Sequence, residues 1–104
     1  MEKYSIQYSK DAKQDIVDIK KHIKYKLQEP NIAEKLINKI KTQIDNAADN
    51  PTIHSIIDDD FIKKLEIRKI IVDNYIVFYR TNVNTKTIEI IRIMYARRNW
   101  LNLL

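Results

Sequence analysis

Five arginines, one tryptophan and a tyrosine carry most of the chemistry this sequence offers. They crowd into its second half. The C-terminal run Tyr95-Ala96-Arg97-Arg98-Asn99-Trp100 puts two guanidinium groups between two aromatic rings. Upstream lie Arg68, Lys69 and Arg80. Guanidinium groups form planar forks suited to phosphate and carboxylate, and they stabilise charge developing on a transferring phosphoryl group. Aromatic rings beside them can stack on bases. Lys69 and Arg98 are therefore candidates for holding a scissile phosphate. Tyr95 is a candidate proton-transfer group, a role that needs cationic neighbours to lower its pKa. Arg68, Arg80, Arg97 and Trp100 are candidates for binding a target or a phosphate.

Charge is distributed unevenly. Residues 1–60 hold ten Lys, no Arg and eleven acids, a net −1; residues 61–104 hold four Lys, five Arg and three acids, a net +6. The asymmetry points the second half toward an acidic or phosphate-rich partner. A solvated basic surface is the bland alternative.

Other chemistries find little support. Glycine and cysteine are both absent. Without glycine there is no Walker or Rossmann phosphate loop, and without cysteine no disulfide or thiolate site. Neither His22 nor His54 sits beside a candidate nucleophile or second ligand in sequence. The triplet Asp58–Asp60 reads as a solvated loop, since adjacent carboxylates do not make a convergent oxygen cage. No metal and no cofactor are expected. The start of the chain shows no apolar signal region, and no run approaches the ~20 apolar residues a membrane span needs. A cytoplasmic protein of one domain, residues 1–104, is the expectation.

The elements that must position these groups follow from periodicity. Leu65–Val72, Tyr75–Thr81 and Thr87–Tyr95 are rich in β-branched and aromatic residues and read as three strands. Only Asp73 and Asn74 separate the first two, which suits a two-residue hairpin turn. If Val72 pairs with Tyr75, Arg68 lies opposite Tyr79 and Lys69 opposite Phe78. One face then carries Arg68, Ile70, Val72, Tyr75, Val77 and Tyr79, and the other Lys69, Ile71, Ile76, Phe78 and Arg80.

Ahead of these strands, Tyr4–Tyr8 alternates and reads as an edge strand. Ser9 is placed to cap a helix that runs to about Leu27, with Ala12, Ile16, Ile19, Ile23 and Leu27 on one face and Val17 widening it. Gln28–Pro30 breaks that helix. Asn31, with Glu34 as a capping box, opens a second helix that stops before Asn50–Pro51. Its stripe is Ala33, Leu36, Ile37, Ile40, Ile44 and Ala47. The expected helical hairpin covers one face of the sheet, as scaffolding for the strands. Residues 50–64 read as a loop tucked down by Ile56, Ile57, Phe61 and Ile62. The fold class is α+β: β-αα-βββ, a helical hairpin on a mainly antiparallel four-stranded sheet.

Four stretches together resemble the RelE/ParE superfamily of type II toxin–antitoxin toxins, and its ParE-like branch most. They are the opening YSIQYSKDAKQDIVDI, Asn50–Pro51 after the second helix, Ile67–Arg80, and the ending Ile91–Trp100. The last is similar to the family's strand plus "(Tyr/His)-Gly-Arg-Arg-Asp", with Ala96 and Asn99 standing for its Gly and Asp. The resemblance implies a cognate antitoxin with an acidic or amphipathic segment, growth arrest when the toxin is free, and a role in plasmid stabilisation. It implies one of two targets: DNA gyrase, or the ribosome with its messenger RNA. The ribonuclease branch typically carries a basic residue directly after the aromatic or histidine that opens the second central strand. Here that position is Ile76. The missing cation favours the gyrase inhibitor over the metal-independent endoribonuclease, for which Lys69, Arg98 and Tyr95 would be the catalytic residues.

Overall fold

The computed structural model describes residues 3–26, 28, 30–60 and 62–104. Four strands, β1 (Ser5–Tyr8), β2 (Arg68–Val72), β3 (Tyr75–Asn82) and β4 (Thr87–Tyr95), form one sheet in the order β1-β4-β3-β2. Two helices, α1 (Lys10–Lys21) and α2 (Pro30–Asp49), are inserted between β1 and the meander. This is the expected β-αα-βββ arrangement. β1 pairs with β4 in parallel, Ser5 with Thr87 through Tyr8 with Ile90, because the helical hairpin carries the chain back over the sheet. The other two pairings are antiparallel.

The β2–β3 register follows the turn. Val72 faces Tyr75, Lys69 faces Phe78 and Arg68 faces Tyr79. Asp73 takes a left-handed backbone (φ 53°), as a two-residue turn demands. Parity then sorts the strands: Ile70, Val72, Val77 and Tyr79 enter the core beneath the helices, while Ile76 and Phe78 enter a second core on the opposite face.

Burial of the hairpin stripes stabilises the helices more than intrinsic propensity does. Ala12, Ile19 and Ile23 are buried from the first arm, and Ala33, Leu36, Ile37, Ile40, Ile44 and Ala47 from α2. Ser9 caps α1: its Oγ accepts the Ala12 N–H at 2.9 Å and donates to the Ile91 carbonyl at 2.6 Å. Tyr4 and Ile6 pack against the same core, and α2 ends at Asp49, directly before Asn50–Pro51.

Several local expectations are corrected. Val17 does not widen the buried stripe; it is exposed. α1 ends at Lys21 and continues as a π-helical turn, His22–Lys26, which relaxes the helix before the reversal; Leu27 lies outside the described residues. α2 opens at Pro30, so Asn31 is already helical and is not its cap. Proline suits the first helical position, where no N–H partner is needed. β2 starts at Arg68 and not at Leu65, because Lys63–Leu65 is a 3-10 turn closed by the left-handed Glu66 (φ 53°). Sheet covering is two-sided: the loop after α2 and the C-terminal tail lie over the second face. There Ile57, Ile62 and Ile67 pack with Ile76, Phe78 and Met94, and Trp100 and Leu104 close over them. Phe61 lies outside the described residues.

Candidate target-binding site

β4 is where the site is built. The strand bulges at Ile91: Tyr79 pairs with Ile90 but Phe78 with Arg92. β1 ends opposite Ile90, so β4 runs on beyond its neighbour with an edge that α1 must satisfy. Asp15 does so. Its carboxylate accepts the Ile93 N–H at 2.9 Å and two hydrogen bonds from the Arg92 guanidinium, Nε at 2.8 Å and Nη2 at 2.9 Å. Asp15 is 7% exposed. The hydrogen bonds from Arg92 to this carboxylate raise the Arg92 pKa, with burial opposing. Arg92 is thus a structural tie. In the sequence Asp15 falls three residues after Ala12 and four before Ile19, on the buried stripe. That position was the available signal for it, and the apolar pattern alone passed it over.

Past this tie β4 ends in a turn that presents the basic tail. The Ala96 N–H donates to the Asn74 carbonyl at 2.8 Å, fastening the tail to the β2–β3 turn. The Arg98 N–H donates to the Tyr95 carbonyl at 3.0 Å, and the Trp100 N–H to the Arg98 carbonyl at 2.8 Å. Between this turn and the helical hairpin lies a cleft of about 890 Å³. Ile19, Ile23 and Leu36 form its helical wall; Tyr75, Ile93 and Tyr95 form its sheet wall, and Arg98 lines it. The Tyr75 and Tyr95 rings meet edge to face at 5.6 Å. Burial, and secondarily Tyr95, push the Tyr75 hydroxyl pKa up, so this ring stays neutral. His22, on the π-helical turn, also lines the cleft.

The basic residues singled out from the sequence do not converge. Tyr95 and Arg98 share the cleft. Lys69 lies on the other face of the sheet, its amine 5.8 Å from the Trp100 ring centre, and Trp100 packs on Phe78 at 5.1 Å. Arg68 is turned to the helical face at the far end of β2, where its Nη1 donates to the His54 carbonyl at 2.6 Å. Beside it the Tyr79 hydroxyl donates to the Pro51 carbonyl at 2.8 Å, and the His54 ring stands perpendicular to Tyr79. Burial and the charge of Arg68 lower the His54 pKa. Arg80 is exposed on β3, in register with Glu89. Arg97 is exposed in the turn. Among the described residues no cluster of three or more His, Cys, Asp or Glu could hold a metal ion. No helix is long and apolar enough to cross a membrane, again among the described residues.

A cleft with aromatic and aliphatic walls, lined also by the acids Asp15, Asp18 and Asp73 and the cations Lys35, Lys39 and Arg98, suits recognition of a macromolecular surface. Known proteins agree on the fold. A structure of the chromosomal ParDE toxin–antitoxin system from P. aeruginosa superposes with a TM-score of 0.73 at 19% identity, covering 90% of this chain and 97% of that one. The toxin–antitoxin complex RelBE2 from Mycobacterium tuberculosis does so with a TM-score of 0.63 at 14% identity, over 90% of this chain and 99% of that one. No curated protein sequence matches. The family model for the ParE toxin of the type II toxin–antitoxin system parDE matches residues 6–100. That match spans both helices, all of β2 to β4 and the basic tail, and the chain therefore belongs to the ParE toxin family of type II toxin–antitoxin systems.

Proposed function

We propose that this toxin arrests growth by inhibiting DNA gyrase, and that it acts by binding and not as a ribosome-dependent endoribonuclease. The observation that carries this reading is the separation of Lys69 from Tyr95 and Arg98. A phosphate-cleaving site needs its cation and its proton-transfer group within hydrogen-bond reach of one reacting centre. Here Tyr95 and Arg98 line the cleft beside the helices, whereas Lys69 is occupied by Trp100 across the sheet. Ile76, buried in the second core, offers no substitute cation. The ParE family match supports the same reading. The cleft, with Arg98 in its lining, serves as the gyrase-binding surface. The antitoxin, acting in the cytoplasm, neutralises the toxin through an acidic or amphipathic segment.

Two assays, one in vitro and one after induced expression, test this. Purified chain added to gyrase should block supercoiling of relaxed plasmid. Messenger-RNA 5′ ends mapped after induction should stay unchanged while growth stops. New ends phased with codons, and lost when translation is blocked, would replace the gyrase reading with the ribonuclease one.

A further inference from the structure

Helix α1 sorts its charges by face. At about 3.6 residues per turn, Lys10, Lys13, Lys20 and Lys21 fall within an arc of about 100°, on the side opposite the buried Ala12 and Ile19. All four are exposed, and the exposed Lys24 continues the positive run on the π-helical turn. The acids of α1 take the other flank. Asp15 holds Arg92, the charge of Asp11 acts on Arg92, and Asp18 lines the cleft and accepts from the Gln14 amide at 2.9 Å. Among the described residues no ion pair joins an acid to any of these five lysines. The near-balance of charge in residues 1–60 conceals this face, because charges that cancel in the count are turned apart in space.

The chemistry of the face selects its ligand. Lys10 to Lys24 spans roughly 20 Å, and duplex DNA of that length carries on the order of ten phosphate charges. Lysines are point charges that meet phosphate without a fixed fork, which suits a contact that positions a duplex without reading its bases. A protein epitope draws affinity from anchors seated in pockets. Val17 is the one large apolar side chain that α1 exposes, and none of the five lysines lines the cleft. A membrane surface needs a free apolar helix face, and that of α1 is buried in the core. A single strand needs a stacking platform. One ring, Tyr25, stands nearby, and the Lys24 amine already lies 5.4 Å from its centre.

We propose that the outer face of α1 contacts the backbone of the duplex DNA held by gyrase, so that the toxin recognises the gyrase–DNA complex and not the enzyme alone. Lys13, Lys20 and Lys21 form the centre of the contact, and Lys10 and Lys24 its ends. The cleft opens on the Asp18 flank of the same helix, so gyrase can fill it while the DNA lies along the lysines. This contact rests on the gyrase reading above and adds DNA as the second half of the target. With phosphates alone as its ligands, it is independent of base sequence.

The affinity of the purified chain for gyrase, with and without a bound duplex, gives the direct test. Wild-type chain should bind DNA-loaded gyrase at least about tenfold more tightly than DNA-free gyrase. The triple variant Lys13→Gln/Lys20→Gln/Lys21→Gln keeps helix propensity at exposed positions and should melt like the wild type. It should bind both forms of gyrase alike, at the wild-type affinity for the DNA-free enzyme. Equal wild-type affinity for the two forms overturns the proposal. So does a variant that loses as much affinity for DNA-free gyrase as for the loaded enzyme, because the lysines then meet an acidic protein surface. A labelled free duplex is titrated in parallel at several salt concentrations. The slope of log affinity against log salt should fall by about 0.9 for each lysine removed; an unchanged slope overturns the proposal. A wild-type chain that binds neither form of gyrase defeats the gyrase reading, and with it gyrase as the source of the DNA. The duplex slope then decides the phosphate contact by itself, so the two failures are told apart.

Discussion

The carboxylate of Asp15 and the guanidinium of Arg92 meet in a two-pronged pair, at 2.8 and 2.9 Å, 77 residues apart in the chain. The pair joins α1 to β4 just past the bulge, and the Ile93 amide completes it. The tie holds β4 just ahead of the segment Tyr95–Trp100, which the Ala96–Asn74 hydrogen bond then fastens to the β2–β3 turn.

Breaking the tie from one side should be costly. Arg92→Ala leaves a buried carboxylate without its cation, and such a loss typically costs about 3–5 kcal/mol. Urea unfolding should show the midpoint fall without a change in slope. Asp15→Asn, which retains an acceptor for the Ile93 amide, should cost less than Asp15→Ala.

Stability should also depend on pH through His54. Its folded pKa lies below the unfolded value of about 6.5. Below that value the unfolded chain binds a proton that the folded chain resists. The His54 contribution is therefore complete above pH 6.5 and is lost as pH falls toward the folded pKa. Unfolding midpoints measured from pH 7.5 downward should drop, and His54→Gln should flatten that part of the curve.

Arg98 is exposed in the turn, so its loss should spare the fold. Arg98→Ala is expected to weaken gyrase inhibition by about tenfold, the scale of a moderate interface contact, with the melting temperature unchanged. A Lys69→Ala/Arg98→Ala pair should behave as Arg98→Ala alone, because Lys69 faces away from the cleft. A supercoiling titration measures both.

Trp100 closes the second core over Phe78 and receives the Lys69 amine on its ring. Trp100→Ala should destabilise the chain by about 2–3 kcal/mol, less than a fully buried tryptophan would cost. Lys69→Met should cost under about 1 kcal/mol, the cation–π share. Thermal unfolding of the two variants distinguishes packing from charge.

Much of this architecture was written in local pattern. Two residues between Val72 and Tyr75 fix the hairpin register, and parity then assigns Ile70 and Phe78 to opposite cores. The stripe from Ala33 to Ala47 is the buried face of α2. Local pattern fails where one residue answers another far away. Asp15 looks like a surface acid until Arg92 arrives from β4. Glu66 interrupts a β-rich run by turning left-handed, which no propensity announces. The site was legible only as a basic, aromatic ending. Which of its residues meet is decided by the Ile91 bulge and by the turn after Tyr95, and both depend on tertiary contacts with Ser9, Asp15 and Asn74.

The parallel pairing of β1 with β4 has a consequence for how the toxin is made. Among the described residues, Ser5–Tyr8 finds its one sheet neighbour in Thr87–Tyr95, the last strand of the sheet in sequence order. Until that strand emerges, Ser5–Tyr8 is unpaired, Asp15 has no cation, and the apolar stripes of both helices lack much of their cover. Long-range closures of this kind form late, because the intervening chain must first be ordered. A chain interrupted before β4 therefore keeps the apolar stripes of its helices without the cover of Thr87–Tyr95. Closure of the sheet waits on the synthesis of Thr87–Tyr95.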